Sequence, residues 1–301
     1  MNTAKHMGKF LGAAAFALLG TASADAETLY GLTFDNRIVR FDSSNPEAIA
    51  ASHSIVGLEA GDTLVGLDRR PATKTFYSMT TTGKLYELTF SGMSYAATLK
   101  ATLTTPPSGT AFGFDFNPVP DRLRIVSDTG QNLRVNPNTG ATLVDGAITA
   151  GGNAVAITAV AYTNSFAGAT STTLYAIDTQ TDRLLRSSNP NAGTYVTTNL
   201  GGGTFGPLGL TFTTSNALGF DISPNTGMAF VSIDSLLWSV DLTTGIGKSI
   251  GVVGAGPLRS IATEAFGAAA AVPEPATWAM LILGFGAVGI AARRRTHAVA
   301  A

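Results

Sequence analysis

The chain has 301 residues, 45% of them hydrophobic and only 13% charged, with 34 glycines and no cysteine; soluble domains commonly carry about 25% charged residues. A net charge of −1 gives no basic field for nucleic acid, and the lack of cysteine excludes disulfide scaffolds, thiolate zinc sites and a cysteine nucleophile. Of the three histidines, His6, His53 and His297, only His53 lies away from the termini, which excludes a histidine-rich metal centre.

Residues 1–26 read as a secretory signal peptide. Lys5 and Lys9 form the positive start, Phe10 to Gly20 the apolar stretch, and Ala24-Asp25-Ala26 a small-x-small cleavage pattern. Cleavage by signal peptidase, after passage through the Sec translocon, is expected after Ala26, or after Ala24 through Ala22-Ser23-Ala24. The apolar stretch is short for a permanent membrane span.

The body, residues 27–265, is built on a repeat. Leu64-Val65-Gly66-Leu67-Asp68-Arg69-Arg70-Pro71 recurs as Ala111-Phe112-Gly113-Phe114-Asp115-Phe116-Asn117-Pro118 and as Ala217-Leu218-Gly219-Phe220-Asp221-Ile222-Ser223-Pro224. Degenerate copies stand at Ile157 to Ala161 and Leu258 to Ala262, so successive starts lie 47, 46, 60 and 41 residues apart. Periods of this length belong to propeller blades. Each copy up to Ala217 is followed by two further strand-like pieces, such as Leu123 to Val126 and Asn132 to Val135, separated by short Asp/Asn/Gly turns.

Thr28 to Leu32 and Arg37 to Asp42 match the second and third strands of a repeat that lacks its first strand. Leu258 to Ala262 is a first strand with nothing after it. Pairing the two completes one blade from both ends of the chain and removes exposed sheet edges. The expected fold is therefore all-β, a five-bladed β-propeller closed by its terminal strands. A sixth blade would need extra strands within Thr194 to Thr214. The Gly-hydrophobe-Asp-x-x-Pro strands and the Leu-Tyr pieces resemble an uncharacterised bacterial and archaeal family of unknown function, over about Leu29 to Ala265. That resemblance implies a fold and a secreted setting, and no activity.

After a linker at 266–272 comes Val272-Pro273-Glu274-Pro275-Ala276-Thr277-Trp278-Ala279, then an apolar run to Ala292, then Arg293-Arg294-Arg295 and a short tail at 296–301. The uncharged run 276–292 is 17 residues, about 25 Å of helix, enough for a transmembrane helix if the arginines reach the headgroups. Basic residues after the span favour a cytoplasmic tail and an exported body. The stretch 273–295 resembles the PEP-CTERM sorting signal in its Trp-Ala form. Pro273, Glu274, Pro275, Trp278, Ala279 and the three arginines carry the resemblance. It implies an exosortase-type enzyme as partner, cutting near Pro273, and a body anchored transiently in the inner membrane before reaching the outer surface or the extracellular matrix. Gly284-Phe285-Gly286-Ala287-Val288-Gly289 matches a dinucleotide-binding glycine pattern, but it has no preceding strand or surrounding βαβ unit.

Asp68, Asp115 and Asp221 occupy one position in three repeats. Turn capping before Pro71, Pro118 and Pro224 is the preferred reading. A ring of carboxylates holding calcium near the propeller axis is the alternative. Asp35, Asp128, Asp178, Asp182 and Asp234 are expected on one face, in turns between second and third strands. His53 is the one candidate imidazole base, yet no Gly-x-Ser-x-Gly elbow presents a serine. Gly201 to Gly206 reads as a loop between blades. No catalytic, cofactor-binding or metal residue is assigned, and no cofactor is expected other than the calcium alternative. The favoured function is a non-catalytic binding or structural module for extracellular glycan or protein. The alternative is a secreted propeller hydrolase, lactonase- or glycosidase-like, with an axial carboxylate or calcium site.

Overall fold

The computed structural model describes residues 26–197, 208–209 and 217–264. Within them the chain is all-β and propeller-like, with a single 3-10 turn at Pro190–Ala192. The signal peptide, Gly201 to Gly206, the linker and the sorting segment with its span at 276–292 lie outside the described residues. No helix among the described residues is long and apolar enough to cross a membrane.

Strands β1 (Thr28–Thr33), β2 (Arg37–Asp42) and β3 (Asn45–Val56) open the body. Next come β4 (Asp68–Arg70), β5 (Thr75–Met79), β6 (Lys84–Phe90) and β7 (Tyr95–Thr102). They are followed by β8 (Phe112–Asn117), β9 (Arg122–Ser127), β10 (Asn132–Val135) and β11 (Thr142–Val144). Two short strands, β12 (Thr149–Ala150) and β13 (Asn153–Ala154), precede β14 (Ile157–Tyr162), β15 (Leu174–Asp178), β16 (Arg183–Asn189) and β17 (Thr194–Val196). The last are β18 (Leu218–Ile222), β19 (Ala229–Ile233), β20 (Leu236–Val240), β21 (Gly247–Val252) and β22 (Leu258–Thr263).

Neighbouring strands pair antiparallel into four-stranded units: β4 to β7 (unit 2), β8 to β11 (unit 3), β14 to β17 (unit 4) and β18 to β21 (unit 5). Unit 1 takes its first strand from the far end of the chain. β22 pairs antiparallel with β1, Tyr30 opposite Ala262 and Leu29 opposite Thr263, and the order continues through β2 to β3. This is the terminal pairing expected from the two incomplete repeats. The innermost strands β22, β4, β8, β14 and β18 each touch the next, and β18 touches β22, so the five make a closed circuit. Of Thr194 to Thr214, where a sixth blade would need its strands, Thr194–Val196 forms β17, the outer strand of unit 4, and most of the remainder lies outside the described residues.

Burial follows this layout. Inner strands are buried on both faces, β14 and β18 along their whole length, whereas outer strands such as β11 and β21 are largely exposed. Five apolar clusters fill the described body, one at each junction between consecutive units. Between units 2 and 3, for example, Tyr77 meets Phe116 edge-on with centroids 5.3 Å apart. Full burial of one such ring contributes roughly 2–3 kcal/mol. Units 1 and 2 are joined differently from the rest. Their outer strands β3 and β7 pair parallel, Ile55 opposite Tyr95, making one eight-stranded sheet.

Candidate functional site

The recurring Gly-hydrophobe-Asp strands meet at the centre of the circuit. The glycines are there because the next unit's inner strand passes directly over them. A Cβ on Gly66 would come within 2.6 Å of the Phe114 Cβ, one on Gly113 within 3.0 Å of the Val160 amide nitrogen, and one on Gly219 within 2.5 Å of the Ile261 amide nitrogen. Two residues along, on the same strand face, the aspartates reach across the same junctions.

Asp68 accepts from the Phe116 N–H of unit 3 at 2.7 Å, and Asp115 from the Tyr162 N–H of unit 4 at 3.2 Å. Asp221 accepts from the Thr263 N–H of unit 1 at 2.5 Å and from the Thr263 hydroxyl at 2.9 Å. Units 4 and 1 carry Ala161 and Ala262 at this position, so they send no carboxylate forward. The N–H groups that would have met one are instead taken by the neighbouring aspartates' second oxygens. Arg69 donates to Asp68 at 2.6 Å and Ile222 to Asp221 at 2.7 Å. Three carboxylates thus satisfy five backbone donors, one from each unit.

The aspartates therefore do not cap the turns before the prolines. Those caps come from the residue immediately before proline in two units. Asn117 Oδ1 accepts from the Val119 N–H at 3.1 Å, and Ser223 Oγ from the Asn225 N–H at 3.2 Å. In unit 2 the Arg70 carbonyl accepts from Lys74 at 2.8 Å. The turn-capping reading of Asp68, Asp115 and Asp221 is thus corrected: a side chain pointing at the centre cannot also turn back over its own loop, and an Asx cap occurs only at Asn117 among these three turns.

One oxygen from each of Asp68, Asp115 and Asp221 lies within 4.8 Å of those of the other two, and all three residues are buried. Burial, reinforced by Asp221, pushes Asp68 well above the usual carboxylate range. Burial, then Asp68 and Asp221, does the same to Asp115. Burial raises Asp221 to about 6, against the opposing pull of its hydrogen bonds from Thr263 and Ile222. The three share a site and titrate as a group. At 2–3% exposure they meet no substrate from solvent in this conformation. The geometry is that of a staple between units.

His53 lies on β3, the outermost strand of unit 1, where its Nδ1 is 3.0 Å from the Met93 carbonyl. It is not brought to the central carboxylates. Asp35, Asp128, Asp182 and Asp234 do fall in turns between second and third strands, and Asp178 ends a second strand. They do not gather into a cluster of their own: among the described residues the central trio is the one group of three acids close enough to share a cation. Asp128 accepts from the Thr110 hydroxyl at 2.6 Å, and Asp178 from the Thr181 hydroxyl at 2.5 Å.

Sequence reading passed over Arg124. It is 2% exposed and binds Asp145 Oδ2 at 2.7 Å, Asn132 Oδ1 at 2.7 Å and, across the junction, Asn191 Oδ1 at 2.9 Å and the Tyr162 hydroxyl at 3.3 Å. Arg70 makes the corresponding bridge from unit 2, pairing with Asp121 and Asn138 of unit 3. An arginine in a strand otherwise reading Leu-x-Ile-Val was the available signal.

Comparisons with known proteins agree with this division of body and tail. The model of a domain of unknown function, DUF4394, matches residues 37–262, and the PEP-CTERM protein-sorting motif matches residues 271–295. No curated protein matches the sequence. Similar solved structures include a chain of a nidogen/laminin complex (11% identity, 80% of this chain and 98% of that one, TM-score 0.47). Others are the glutaminyl cyclase of Myxococcus xanthus (16%, 71% and 95%, 0.40) and the virginiamycin B lyase of Staphylococcus aureus (12%, 74% and 69%, 0.39). At these scores the likeness fixes no function.

Proposed function

The chain belongs to the DUF4394 family and ends in a PEP-CTERM sorting motif, and from that premise we propose that it is an exported surface or extracellular-matrix protein whose body is a five-bladed propeller serving as a non-catalytic binding or structural module. The observation that carries the reading is the position of the sorting motif. It starts at residue 271, after β22 has already paired into unit 1 and closed the circuit at Thr263. An exosortase-type cut near Pro273 would then remove the tail and leave every strand of the described residues intact. Proline lacks the backbone donor and crowds the preceding turn, so the pair Pro273 and Pro275 in the sequence suits a cut at this point.

In this reading the signal peptide 1–26 directs the chain through the Sec translocon, and the apolar run 276–292 holds it in the inner membrane with Arg293, Arg294 and Arg295 inside. Mass spectrometry of the protein recovered from its native host should show an N-terminus at Glu27, or at Asp25, and a C-terminus near Pro273. Recovery of the chain intact to Ala301 as the main form would make it a simple membrane-anchored protein.

The close approach of Asp68, Asp115 and Asp221 favours a second reading, a secreted hydrolase with a central calcium or carboxylate site. Calcium binds through several oxygen ligands. A calcium-induced rise in melting temperature that disappears in Asp115→Asn would establish the calcium site, and lactone or glycoside hydrolysis lost in the same variant would replace the first reading by this one.

A further inference from the structure

Units 1 and 2 enclose a cleft of about 390 Å³ under their parallel β3–β7 join, a volume within the range of small-ligand sites. One wall is a run of aromatic rings drawn from five strands. His53 meets Phe90 with centroids 4.8 Å apart, Phe90 meets Tyr95 at 5.2 Å, Tyr95 meets Phe76 at 6.0 Å, and Phe76 meets Tyr30 at 4.8 Å. Phe90 is 48% exposed although it is a large apolar ring on this run. Such a face is costly to leave in water and is suited to stacking.

The charges around this wall are unbalanced. Arg69 is partnered, its guanidinium 3.7 Å from Glu264, which also accepts from the Tyr30 hydroxyl at 3.3 Å. Arg40 and Lys74 also line the cleft, are exposed, and form no ion pair with a described residue. This positive rim stands on a body, residues 27–265, with 14 basic and 18 acidic residues, so it runs against the charge of the body as a whole. The cleft between units 3 and 4, about 470 Å³, differs: its Arg124 and Arg134 are committed to Asp145, and its Arg122 donates to the Pro120 and Asp121 carbonyls.

We propose that the cleft between units 1 and 2 binds a ring bearing a carboxylate, the ring lying on the Phe90–Tyr95 face and the carboxylate drawn to Arg40 and Lys74. Arginine matches a carboxylate through paired N–H donors. Phosphate pairs with arginine in the same way, but the strand walls, whose N–H groups are spent in the ladder, offer it no backbone cradle of the kind common in phosphate sites. Uronic-acid saccharides and aromatic acids share the required chemistry. This names a ligand class for the binding module proposed above and rests on that reading only in expecting a ligand.

The test is isothermal titration of the exported protein with trigalacturonate, its methyl ester and benzoate. One of the two acids should bind, and which one does identifies the source. Arg40→Gln and Phe90→Ala should each weaken that binding at least ten-fold. Both side chains lie at the surface, so the variants should melt with the parent. Lys248→Gln, an exposed cation on β21, should leave binding unchanged. Binding of the methyl ester as tight as that of the acid, displacement by equimolar inorganic phosphate, or no binding of either acid by the folded parent would each overturn the proposal. The masses of the termini on the same preparation report export and processing separately, so a failed titration leaves the sorting reading standing.

Discussion

Units 2, 3 and 5 present an aspartate to the centre of the circuit and units 1 and 4 present an alanine, yet all five central N–H donors end up satisfied. The aspartate units differ among themselves accordingly. Asp68 and Asp221 each follow an alanine unit and use both oxygens, one on the next residue of their own strand and one across the junction. Asp115 follows an aspartate unit, finds its own neighbour Phe116 already held by Asp68, and reaches forward alone. The sharing limits the buried acid groups to three. Five would satisfy the same donors at a larger desolvation and repulsion cost. The alanines are part of the device, and an unsatisfied buried N–H is what the arrangement avoids.

The largest expected effect comes from removing a doubly used carboxylate. Asp68→Ala leaves the Arg69 and Phe116 N–H groups without their acceptor, and each orphaned donor costs roughly 1–3 kcal/mol. Denaturant unfolding at pH 5, where repulsion within the trio is weakest, should show a loss of about 2–6 kcal/mol. A loss below about 0.5 kcal/mol would show that water replaces the carboxylate and that the staple is not structural.

Next is the close approach that accompanies each aspartate. Gly219→Ala sets a Cβ against the Ile261 backbone, which cannot rotate away as a side-chain end could. A destabilisation of about 1–3 kcal/mol is expected. The reverse change in an alanine unit, Ala159→Gly, should cost only about 1 kcal/mol through backbone entropy and a lost methyl contact. Equal effects at the two positions would mean that the two kinds of junction are equally tight.

The pH dependence is of similar or smaller size and has a definite sign. The trio's folded-state pKa values lie above the unfolded value of about 3.9. Their contribution is therefore fully present below about pH 4 and is lost as pH rises through 6, the level to which Asp221 is pushed, and beyond. Melting curves between pH 5 and pH 8 should record a fall of about 1–3 kcal/mol. Asp115→Asn keeps an oxygen for the Tyr162 N–H and removes one charge. It should flatten that fall and match or exceed the parent at pH 8. A steeper fall in the variant would place the titrating groups elsewhere.

How much of this was legible in the sequence differs from residue to residue. The Gly-x-Asp spacing announced a repeat and its inner strands, because those strands are largely buried on both faces and favour apolar residues, glycine and polar groups whose hydrogen bonds are met there. The missing first strand before Thr28 and the spare one at Leu258 announced the terminal pairing. Outer strands such as β3, β11 and β21 left little trace, since one or both faces are wet and no alternation is imposed. The cleft was equally hidden. Tyr30, Arg40, His53, Phe76, Phe90 and Tyr95 come from β1, β2, β3, β5, β6 and β7, with no spacing to connect them.

By itself, then, the sequence determined the strand period, the closure by the two ends and the sorting address, because each rests on residues near one another in the chain or on a repeated pattern. What the aspartates do was decided only by tertiary structure. The donor that Asp68 meets across its junction is 48 residues away, that of Asp115 is 47 away and that of Asp221 is 42 away. A carboxylate beside a turn and a carboxylate between two sheets are the same letters, and they part company only when the next unit brings its N–H within reach.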